Sequence, residues 1–583
     1  MASMKRIETL VDRICEYAYE KGGAGIDEIS KALGESESHI ENIGKILSEY
    51  GVVSLIYPTN ILSKPQIRVQ QRLAWHTVEA PKGEVLEKYS VEANNVRGAV
   101  EIIKVSGEGR PFYHLASPVI GPYTEVFMNH LRDEIARLVP IETEEIIDQR
   151  KTGELKERFY TKASEVISQS IPKIEEKEKD VMAGILLHTM YGLGDIELLM
   201  ADDYIEEIGI NGSASPIAVY HKKYGWLKTT LPKLTESEIY NYASQIGRKS
   251  GREITLLEPI MDAHLVTGDR VCATLFPIST SGCTLTIRRF ARAPWTITSF
   301  ISSEIHTFSS EIAAFLWLCM QYEMNVLVVG GTASGKTSAL NTLCALIPSH
   351  QRIVTIEDTR ELNLPDYLRW NWVPLTTRNP NPEGKGQVSM LDLMVASLRM
   401  RPDRIIVGEI RRREEAEVLF EAMHTGHAVY STMHADTAEQ TLRRLINAPI
   451  QLPPQELVSL HLIVVQYRDR RRGIRRTYEI SEVLSSGTEA VSLNRLYKWH
   501  PRGDSFEKMN RSIRIFDELN LHTGMSEQEL AEDMQEKQMI LEWMLRKKIT
   551  DINSVGKVMA TYYNNADAIV EMARKDEDFK GLV

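Results

Sequence analysis

Residues 330–337 read GGTASGKT, and this octapeptide constrains the fold more than any other stretch of the chain. It matches the pattern G-x-x-x-x-G-K-[ST] and lies between an apolar strand-like run at 326–329 and an apolar helix-like run at 338–346. Glycines let backbone N–H groups wrap a phosphate, and the amino end of the following helix adds partial positive charge. The sequence therefore predicts a phosphate-binding loop at a strand–helix junction.

This loop predicts a nucleotide site with ATP and Mg²⁺ as its cofactors. Lys336 is expected to reach the β- and γ-phosphates, and the Thr337 hydroxyl is expected to ligate Mg²⁺. The predicted nucleotide-binding residues are Gly330, Gly331, Thr332, Ala333, Ser334, Gly335, Lys336, Thr337 and Ser338. The alternative is a glycine-rich turn that begins a helix and binds no ligand.

Strand-like and helix-like runs alternate between about 305 and 485. The apolar strand-like runs lie at 326–329, 353–356, 404–407, 428–432 and 462–466. Alternation of this kind is typical of βαβ units and of a mainly parallel sheet that is buried on both faces. In such open sheets, ligands bind outside the carboxyl ends of the strands. Polar residues that directly follow these runs are therefore candidates for the nucleotide site.

Three of these runs end in polar side chains. Glu409 follows the strand in RIIVGEIR, Glu357 and Asp358 follow 353–356, and His434 follows 428–432. Glu409 can orient and deprotonate the attacking water or hold Mg²⁺ through water, and His434 is expected near the γ-phosphate. A surface glutamate and a structural histidine are the alternatives. Arg411 is a further candidate, for pairing with a neighbouring carboxylate.

Composition narrows the class of protein. The 583 residues are too many for one core, and the net charge of −11 disfavours a basic coat for nucleic acid. Five cysteines without a C-x-x-C pair argue against a thiolate zinc site and for a reducing compartment. The longest apolar stretch, near 312–329, contains polar side chains, so no membrane span is expected.

The amino-terminal residues predict three short helices followed by a two-stranded ribbon, which resembles a winged helix. Residues 5–75 carry nine Lys or Arg against ten Asp or Glu, and the third helix is acidic. Because an acidic helix repels phosphates, a protein-docking module is favoured over a DNA-binding one. The arginine-rich stretch 468–476 is interpreted as a hairpin turn, with docking to an acidic loop or to anionic lipid headgroups as the alternative.

The fold class that follows is α/β, with a P-loop domain built on a mainly parallel sheet and preceded by an α+β domain. The predicted domains are a winged-helix-like docking module at 1–75, an α/β linker region with charged helices at 76–180, an α+β domain at 181–300, the P-loop domain at 305–485 and a helical carboxyl-terminal tail at 486–583.

Four stretches in sequence order resemble the type II/type IV secretion and pilus ATPases. GGTASGKT, RIVTIEDTREL, LRMRPDRIIVGEIRRRE and TGHAVYSTMHADTAEQTLRRL correspond to that family's Walker A, aspartate, Walker B and histidine boxes. The resemblance spans about 181–485, and the helical tail is similar to tails of archaeal pilus, archaellum and secretion members. A tetracysteine zinc module, present in many bacterial secretion members, is absent from this sequence.

The resemblance implies a RecA-like P-loop domain and a homo-hexameric ring that docks on a polytopic membrane platform protein and moves pilin-like or secreted subunits. It also implies a cytoplasmic chain held at the cytoplasmic membrane through its partners. Arg270 in GDRV and Arg288 in TIRRF match positions at which family members present arginines to the nucleotide, with Arg289 as the alternative to Arg288. Such guanidinium groups stabilise charge on a transferring phosphoryl group.

Two functions follow as hypotheses. The first is an ATP-hydrolysing motor for assembly or secretion of pilin-like filaments or substrates through a membrane platform. The alternative is a nucleic-acid translocating P-loop motor that grips DNA with its winged helix, although the acidic third helix makes nucleic acid an unfavourable partner. The sequence leaves the exported substrate and the direction of movement open.

Overall fold

The computed structural model describes residues 6–57, 64–75, 78–139, 149–265, 267–290, 294–378, 380, 384–485 and 491–579. The chain forms two compact units, Met1–Phe290 and Ala291–Val583. Short stretches of each predicted domain lie outside the described residues. Within the described residues, no helix combines the length and the apolar character needed to cross a membrane.

The first unit begins with three helices and a small antiparallel sheet. These elements are β1 (Arg6–Ile7), α1 (Leu10–Glu20), β2 (Ala24–Gly25), α2 (Ile26–Leu33), α3 (Glu37–Glu49), β3 (Val53–Ile56) and β4 (Gln66–Val69). The sheet has the order β2-β4-β3, and the apolar faces of the three helices enclose a common core. Its role as a docking module stays a prediction.

A nine-stranded sheet occupies the rest of the first unit. Its strands are β5 (Glu84–Ala93), β6 (Val96–Lys104), β7 (Phe112–Ala116), β9 (Ile205–Asn211), β10 (Ala218–His221), β11 (Gly225–Thr229), β12 (Ile260–His264), β13 (Arg270–Thr274) and β14 (Thr284–Arg288). The order is β12-β13-β14-β9-β10-β11-β7-β6-β5, and β8 (Val119–Ile120) pairs with β1. The helices are α4 (Pro122–Leu138), α5 (Gln149–Ser170), α6 (Glu176–Met190), α7 (Ile196–Ala201) and α8 (Glu236–Lys249).

This sheet crosses the domain boundary that the sequence predicts at residue 180. Strand β7 pairs in parallel with β11, so that Lys228 lies opposite Phe112 and Thr229 opposite Tyr113. The strands β5–β7, which the prediction assigns to a separate linker region, therefore extend the sheet of the α+β domain. Pairing with β7 satisfies backbone groups of β11 that an edge strand would leave open.

The second unit is built on another nine-stranded sheet. Its strands are β15 (Val326–Gly330), β16 (Ile353–Glu357), β17 (Trp372–Thr376), β18 (Arg404–Val407), β19 (Ala428–Met433), β20 (Leu462–Asp469), β21 (Ile474–Ser485), β22 (Val491–His500) and β23 (Ser505–Lys508). The order is β17-β16-β18-β19-β15-β20-β21-β22-β23. Pairs from β17 to β20 are parallel, and those from β20 to β23 are antiparallel. The prediction of a mainly parallel α/β sheet around the glycine-rich loop is confirmed.

Helices cover both faces of this sheet. They are α9 (Ile297–Ile301), α10 (Ser310–Gln321), α11 (Lys336–Cys344), α12 (Asp366–Arg369), α13 (Met390–Ser397), α14 (Arg413–His424), α15 (Ala438–Ile446), α16 (Arg514–Thr523), α17 (Glu527–Arg546), α18 (Ile552–Asn564) and α19 (Ala566–Lys575), with a 3₁₀ turn at Glu456–Ser459. Along β15, Val326 and Val328 join the core on one face, and Leu327 and Val329 join the core on the other. This alternation is what a strand buried on both faces requires.

The carboxyl-terminal region differs from the prediction of an all-helical tail from residue 486. Strands β22 and β23 first extend the P-loop sheet, and the final run of helices begins only at Arg514. The helices then pack into the main core, where Trp543 of α17 and Trp317 of α10 are both fully buried. The tail is therefore part of the P-loop unit's core.

Candidate active site

The glycine-rich loop between β15 and α11 has a backbone that requires glycine at two positions. Gly335 precedes α11 with φ of 94°, in the left-handed region that side chains with a Cβ rarely adopt. A Cβ at Gly330 would collide with the carbonyl oxygen of Gln466 and with the Ser334 hydroxyl. The loop therefore lies directly against β20 at Gln466.

The loop also presents groups that fit a nucleotide phosphate. The Ser334 hydroxyl is buried without a hydrogen-bond partner among the described residues, and backbone N–H groups at the start of α11 have no intrahelical acceptor. Thr337 lies in the first turn of the same helix. A hydroxyl and carboxylates are the oxygen ligands that Mg²⁺ prefers beside substrate phosphates. Thr337, with Glu409 through water, would hold that ion.

Lys336 supplies the positive charge of the loop. The residue is 9% exposed, and its Nζ donates to the Gly331 carbonyl oxygen at 3.1 Å. The same Nζ lies 3.4 Å from His434 Nδ1. The ammonium group is thus held over its own loop and beside the end of β19.

Glu409 and His434 meet at this edge of the sheet. Glu409 Oε1 lies 3.2 Å from His434 Nε2, so Lys336, His434 and Glu409 form a continuous polar row. Burial is the main cause that lowers the pKa of His434, and the Lys336 ammonium lowers it further, while Glu409 opposes both. A ring that stays neutral at physiological pH can accept a hydrogen bond as well as donate one.

Arg411 holds the other oxygen of Glu409, which confirms its predicted pairing with a carboxylate. Its Nη2 and Nε donate to Glu409 Oε2 at 2.8 and 3.1 Å, and its Nη1 donates to Asp358 Oδ2 at 2.7 Å. Burial lowers the pKa of Arg411, but Glu409 and Asp358 outweigh it, and the net shift is upward. The guanidinium therefore links the ends of β16 and β18 and fixes the orientation of the Glu409 carboxylate.

Glu357 lies at the end of β16, beside Gly408, where a Cβ would stand 3.5 Å from Glu357 Cγ. The residue is 2% exposed, and burial raises the pKa of its carboxyl to about 7. The N–H groups of Glu361 and Leu362 donate to Oε1 at 2.8 and 3.0 Å and oppose that rise. Its Oε2 is buried without a hydrogen-bond partner among the described residues, so this oxygen has unused capacity to accept a hydrogen bond.

This pKa gives a testable pH dependence. If the ionised Glu357 carboxylate takes part in turnover, we expect kcat for ATP hydrolysis to rise as the pH passes through about 7, because only then is the acid deprotonated. We expect Glu357→Gln to lower kcat by about 10²-fold and to remove this step. The measurement is kcat from about pH 5.5 to pH 8.5 at saturating ATP. Burial and the Lys336 ammonium lower the pKa of His434, so the step removed by Glu357→Gln is the one assigned to Glu357. A glutamine variant that keeps the step would contradict the assignment.

Arg270 and Arg288 lie in the first unit, directly opposite one another on β13 and β14. Both are exposed, and because paired residues share one face of a sheet, the two side chains leave the same surface. Arg270 donates to both oxygens of Asp262, at 3.0 and 2.5 Å. Arg289 instead donates to the carbonyl oxygens of Asp202 and Leu199. Of the two alternatives, Arg288 is therefore the one presented at the surface.

Two contacts at this site were not predicted from the sequence. Arg444 of α15 donates to the His434 carbonyl oxygen, and Arg475 of β21 donates through Nε to the Ala333 carbonyl oxygen at 3.1 Å. Both arginines belong to arginine pairs in the sequence, and nothing local distinguishes the member that faces the loop from its neighbour.

Comparison with known proteins adds independent information. Residues 266–472 match the family model described as type II/IV secretion system protein. An uncharacterized protein of Methanocaldococcus jannaschii is 34% identical over 399 residues, which are 67% of this chain and 71% of that protein. The type IV secretion system protein PtlH of Bordetella pertussis is 31% identical over 288 residues, which are 44% of this chain and 84% of that protein.

Two solved structures are similar to parts of this chain. The VirB11 ATPase from the Brucella suis type IV secretion system, crystallised with sulphate, is 25% identical and has a TM-score of 0.25, with 48% of this chain and 90% of that chain covered. The Legionella pneumophila ATPase DotB is 19% identical with a TM-score of 0.37, and the comparison covers 64% of this chain and 93% of that chain.

Proposed function

We propose, on the premise that this chain belongs to the type II/IV secretion system protein family, that its nucleotide site drives a motor for secretion or filament assembly. The chain is an ATPase. The observation that carries the assignment of the site is the row in which Lys336 Nζ lies 3.4 Å from His434 Nδ1, and His434 Nε2 lies 3.2 Å from Glu409 Oε1. A cation, a neutral ring and a carboxylate thus meet at the carboxyl edge of a parallel sheet, where ligands of such sheets bind.

Bound Mg²⁺-ATP supplies the phosphoanhydride bond that is broken and the divalent charge beside it. Lys336 and the N–H groups of the loop hold the β- and γ-phosphates in place. Glu409 orients the attacking water and accepts its proton, and the two bonds from Arg411 keep its carboxylate aimed. Both oxygens of Glu409 already have partners, so its side chain loses little conformational entropy when the reaction begins.

His434 lies between the charged ends of this row. With its pKa lowered by burial and by Lys336, the ring is neutral, and it donates from one nitrogen while the other accepts. We assign His434 to the γ-phosphate side of the site. There the ring would contact the terminal phosphate and Glu409 together, so that binding of this phosphate affects the position of the Glu409 carboxylate. Arg444 holds the backbone of this residue through the His434 carbonyl oxygen.

The finer parts of the proposal concern assembly. We propose that identical chains form a hexameric ring, that Arg270 and Arg288 complete the nucleotide site, and that the ring docks on a polytopic membrane protein from the cytoplasmic side. PtlH, a relative, is a type IV secretion system protein, which supports a role beside a membrane machine. Two arginines exposed on one face of the first unit are guanidinium groups of the kind that stabilises charge on a transferring phosphoryl group.

The amino-terminal module is proposed as the part that contacts a partner protein. Along the acidic helix α3, Glu37 pairs with Lys64 at 2.7 Å and Glu41 pairs with Lys45 at 2.7 Å. An acidic helix whose one lysine, Lys45, is already paired with Glu41 is poorly suited to DNA phosphates. This charge distribution favours a protein partner over nucleic acid.

The arginines give the experiment for this proposal. We expect Arg270→Ala and Arg288→Ala to cost about 2–4 kcal/mol of transition-state stabilisation each, the range for loss of one charge-stabilising donor. ATP affinity should change much less, because the loop at 330–337 is untouched. The measurements are kcat and the ATP dissociation constant of the full-length protein, together with the dependence of turnover on protein concentration.

Two variants serve as controls for this experiment. Lys228→Ala removes an exposed cation of the same sheet that pairs with Glu108, and it should leave kcat unchanged. Asp262→Asn breaks the ion pair of Arg270 without removing the arginine. If Asp262→Asn lowered kcat as much as Arg270→Ala, the arginine would serve the ion pair and not the nucleotide. Full turnover in both arginine variants would exclude the completed-site proposal.

A further inference from the structure

The hairpin between β20 and β21 carries six arginines within 468–476, and one of them contacts the phosphate loop. Arg475 donates through Nε to the Ala333 carbonyl oxygen at 3.1 Å. Its Cδ lies 3.4 Å from the position of a Cβ at Gly335, so the side chain runs along the loop. The segment that matches the family model ends at residue 472, and Arg475 lies beyond it.

The neighbouring arginines have other tasks. Arg476 is 5% exposed, and its Nε and Nη2 donate to the two carboxylate oxygens of Asp504 at 2.7 and 2.6 Å. Its Nη1 donates to the Ile305 carbonyl oxygen at 2.7 Å. Arg472 donates to the Pro501 carbonyl oxygen at 2.9 Å. Arg476 therefore fixes the hairpin to the rest of the unit, and this fixed base aims Arg475 at the loop.

The bond through Nε leaves the terminal end of the Arg475 guanidinium available. Among the described residues, neither Nη1 nor Nη2 of Arg475 has a hydrogen-bond partner. Two parallel N–H donors on a delocalised cation match the oxygens of a phosphate group. The structure thus places a cationic, two-donor group beside the phosphate loop, on a chain segment that the glycine-rich motif does not include.

The strand order indicates which phosphate this group can reach. Strand β19, with His434 at its end, flanks β15 on one side, and β20 flanks it on the other. Lys336 Nζ lies beside His434, so the terminal phosphate belongs on the β19 side. A nucleotide whose γ-phosphate is on that side extends its α-phosphate and nucleoside towards the β20 side, where Arg475 lies.

We propose that Arg475 binds the α-phosphate end of a nucleoside di- or triphosphate and so distinguishes nucleotides from inorganic polyphosphates. This inference rests on the proposed nucleotide site at 330–337. The Ala333 carbonyl bond keeps the guanidinium in place before the ligand arrives, which lowers the entropy lost on binding. The contribution is to affinity for the nucleotide, and it is shared by ATP and ADP because both carry an α-phosphate.

The test compares three ligands with one pair of variants in the full-length protein. We expect Arg475→Gln to weaken ATP and ADP binding by about tenfold each, in the range of a lost charged hydrogen bond. Inorganic pyrophosphate is expected to occupy the β- and γ-positions, beside Lys336, so it should bind Arg475→Gln and wild type equally. Arg472→Gln removes an arginine of the same hairpin and should leave all three affinities unchanged. Arg475→Lys keeps the charge without the fork and should give an intermediate loss. Titration calorimetry gives the dissociation constants.

The results distinguish binding of the α-phosphate by Arg475 from a role of Arg475 in shaping the loop. Equal losses for pyrophosphate and for ADP would mean that Arg475 only shapes the loop, and would overturn the inference. Wild-type affinity for ADP in both Arg475→Gln and Arg475→Lys would also overturn it. If the wild-type protein bound neither nucleotide, the proposed function itself would fail, and the inference would fail with it. Thermal unfolding of Arg475→Gln at the same temperature as Arg472→Gln shows that a loss reflects binding and not misfolding.

Discussion

Lys336→Ala will abolish ATP turnover and weaken nucleotide binding by about 100-fold, which corresponds to about 3 kcal/mol. The reason is that Lys336 Nζ is the cation placed between the Gly331 carbonyl oxygen and His434. Its removal takes the loop's cation away from the β- and γ-phosphates. It also removes the charge that, after burial, does most to lower the pKa of His434. The measurements are the ATP dissociation constant and the rate of phosphate release.

Lys508→Ala is the matched control, since Lys508 is an exposed lysine of the same sheet that pairs with Glu311 at 3.4 Å. It should keep the wild-type rate and affinity. A wild-type rate in Lys336→Ala would remove the assignment of 330–337 as the nucleotide site. The substitution itself is not expected to change the fold, because a side chain at the beginning of α11 can be shortened to alanine without loss of helix propensity.

Glu409→Gln will bind ATP with close to wild-type affinity and will hydrolyse it about 10²–10⁴-fold more slowly, the usual contribution of a positioned general base. The amide keeps the size and shape of the side chain but cannot take the proton of the attacking water. One of its two terminal atoms becomes a donor, so one of the bonds from Arg411 or His434 is also lost. Single-turnover hydrolysis and equilibrium binding measure the two quantities separately.

Glu417→Gln is the control for this substitution, because Glu417 is an exposed acid on α14 that pairs with Arg413. It should leave hydrolysis unchanged. The opposite pattern in Glu409→Gln, poor binding with normal hydrolysis of the bound ATP, would show that Glu409 holds the nucleotide and does not act on water. In that case Glu357, a buried acid at the same sheet edge, would become the candidate base.

Local sequence was sufficient for the parts of this site that depend on one strand and its end. The glycine-rich loop follows from the pattern of residues 330–337, and the row of Lys336, His434 and Glu409 follows from a rule about the carboxyl ends of parallel strands. The proximity of these three side chains is therefore a consequence of sheet geometry. Their roles in catalysis stay predictions.

Side-chain contacts that depend on the register of paired strands could not be predicted from local sequence. The pairing of β20 with β21 shifts register between Val465 and Gln466, and such a shift changes which side chains of the hairpin share a face. The arginine-rich stretch 468–476 does not reveal that shift, so the contact of Arg475 with the loop was not predicted. Strand β22 was missed for a related reason: Asn494, Arg495 and Lys498 interrupt its apolar alternation, and its register with β21 also shifts.

Pairing between strands that lie far apart in the sequence was the other feature that could not be predicted. The parallel pair between β7 and β11 joins residues more than a hundred positions apart, and neither strand carries a signal for the other. Parallel pairs need a long crossover, so their partners cannot be read from a turn. Domain boundaries placed by composition, such as the one at residue 180, are therefore less reliable than motifs whose residues are contiguous.

The burial of Trp543 against the same core as Trp317 has a consequence for how such chains change over time. Helices α17 and α10 pack closely against each other, so a larger side chain in the contact surface of one helix requires a smaller side chain in that of the other. If this tail were exchanged between relatives, the new α17 would pack against an α10 whose side chains fit a different partner. The final helices and the P-loop unit are therefore expected to diversify together, with lineage-specific variation concentrated on the outer faces of α18 and α19.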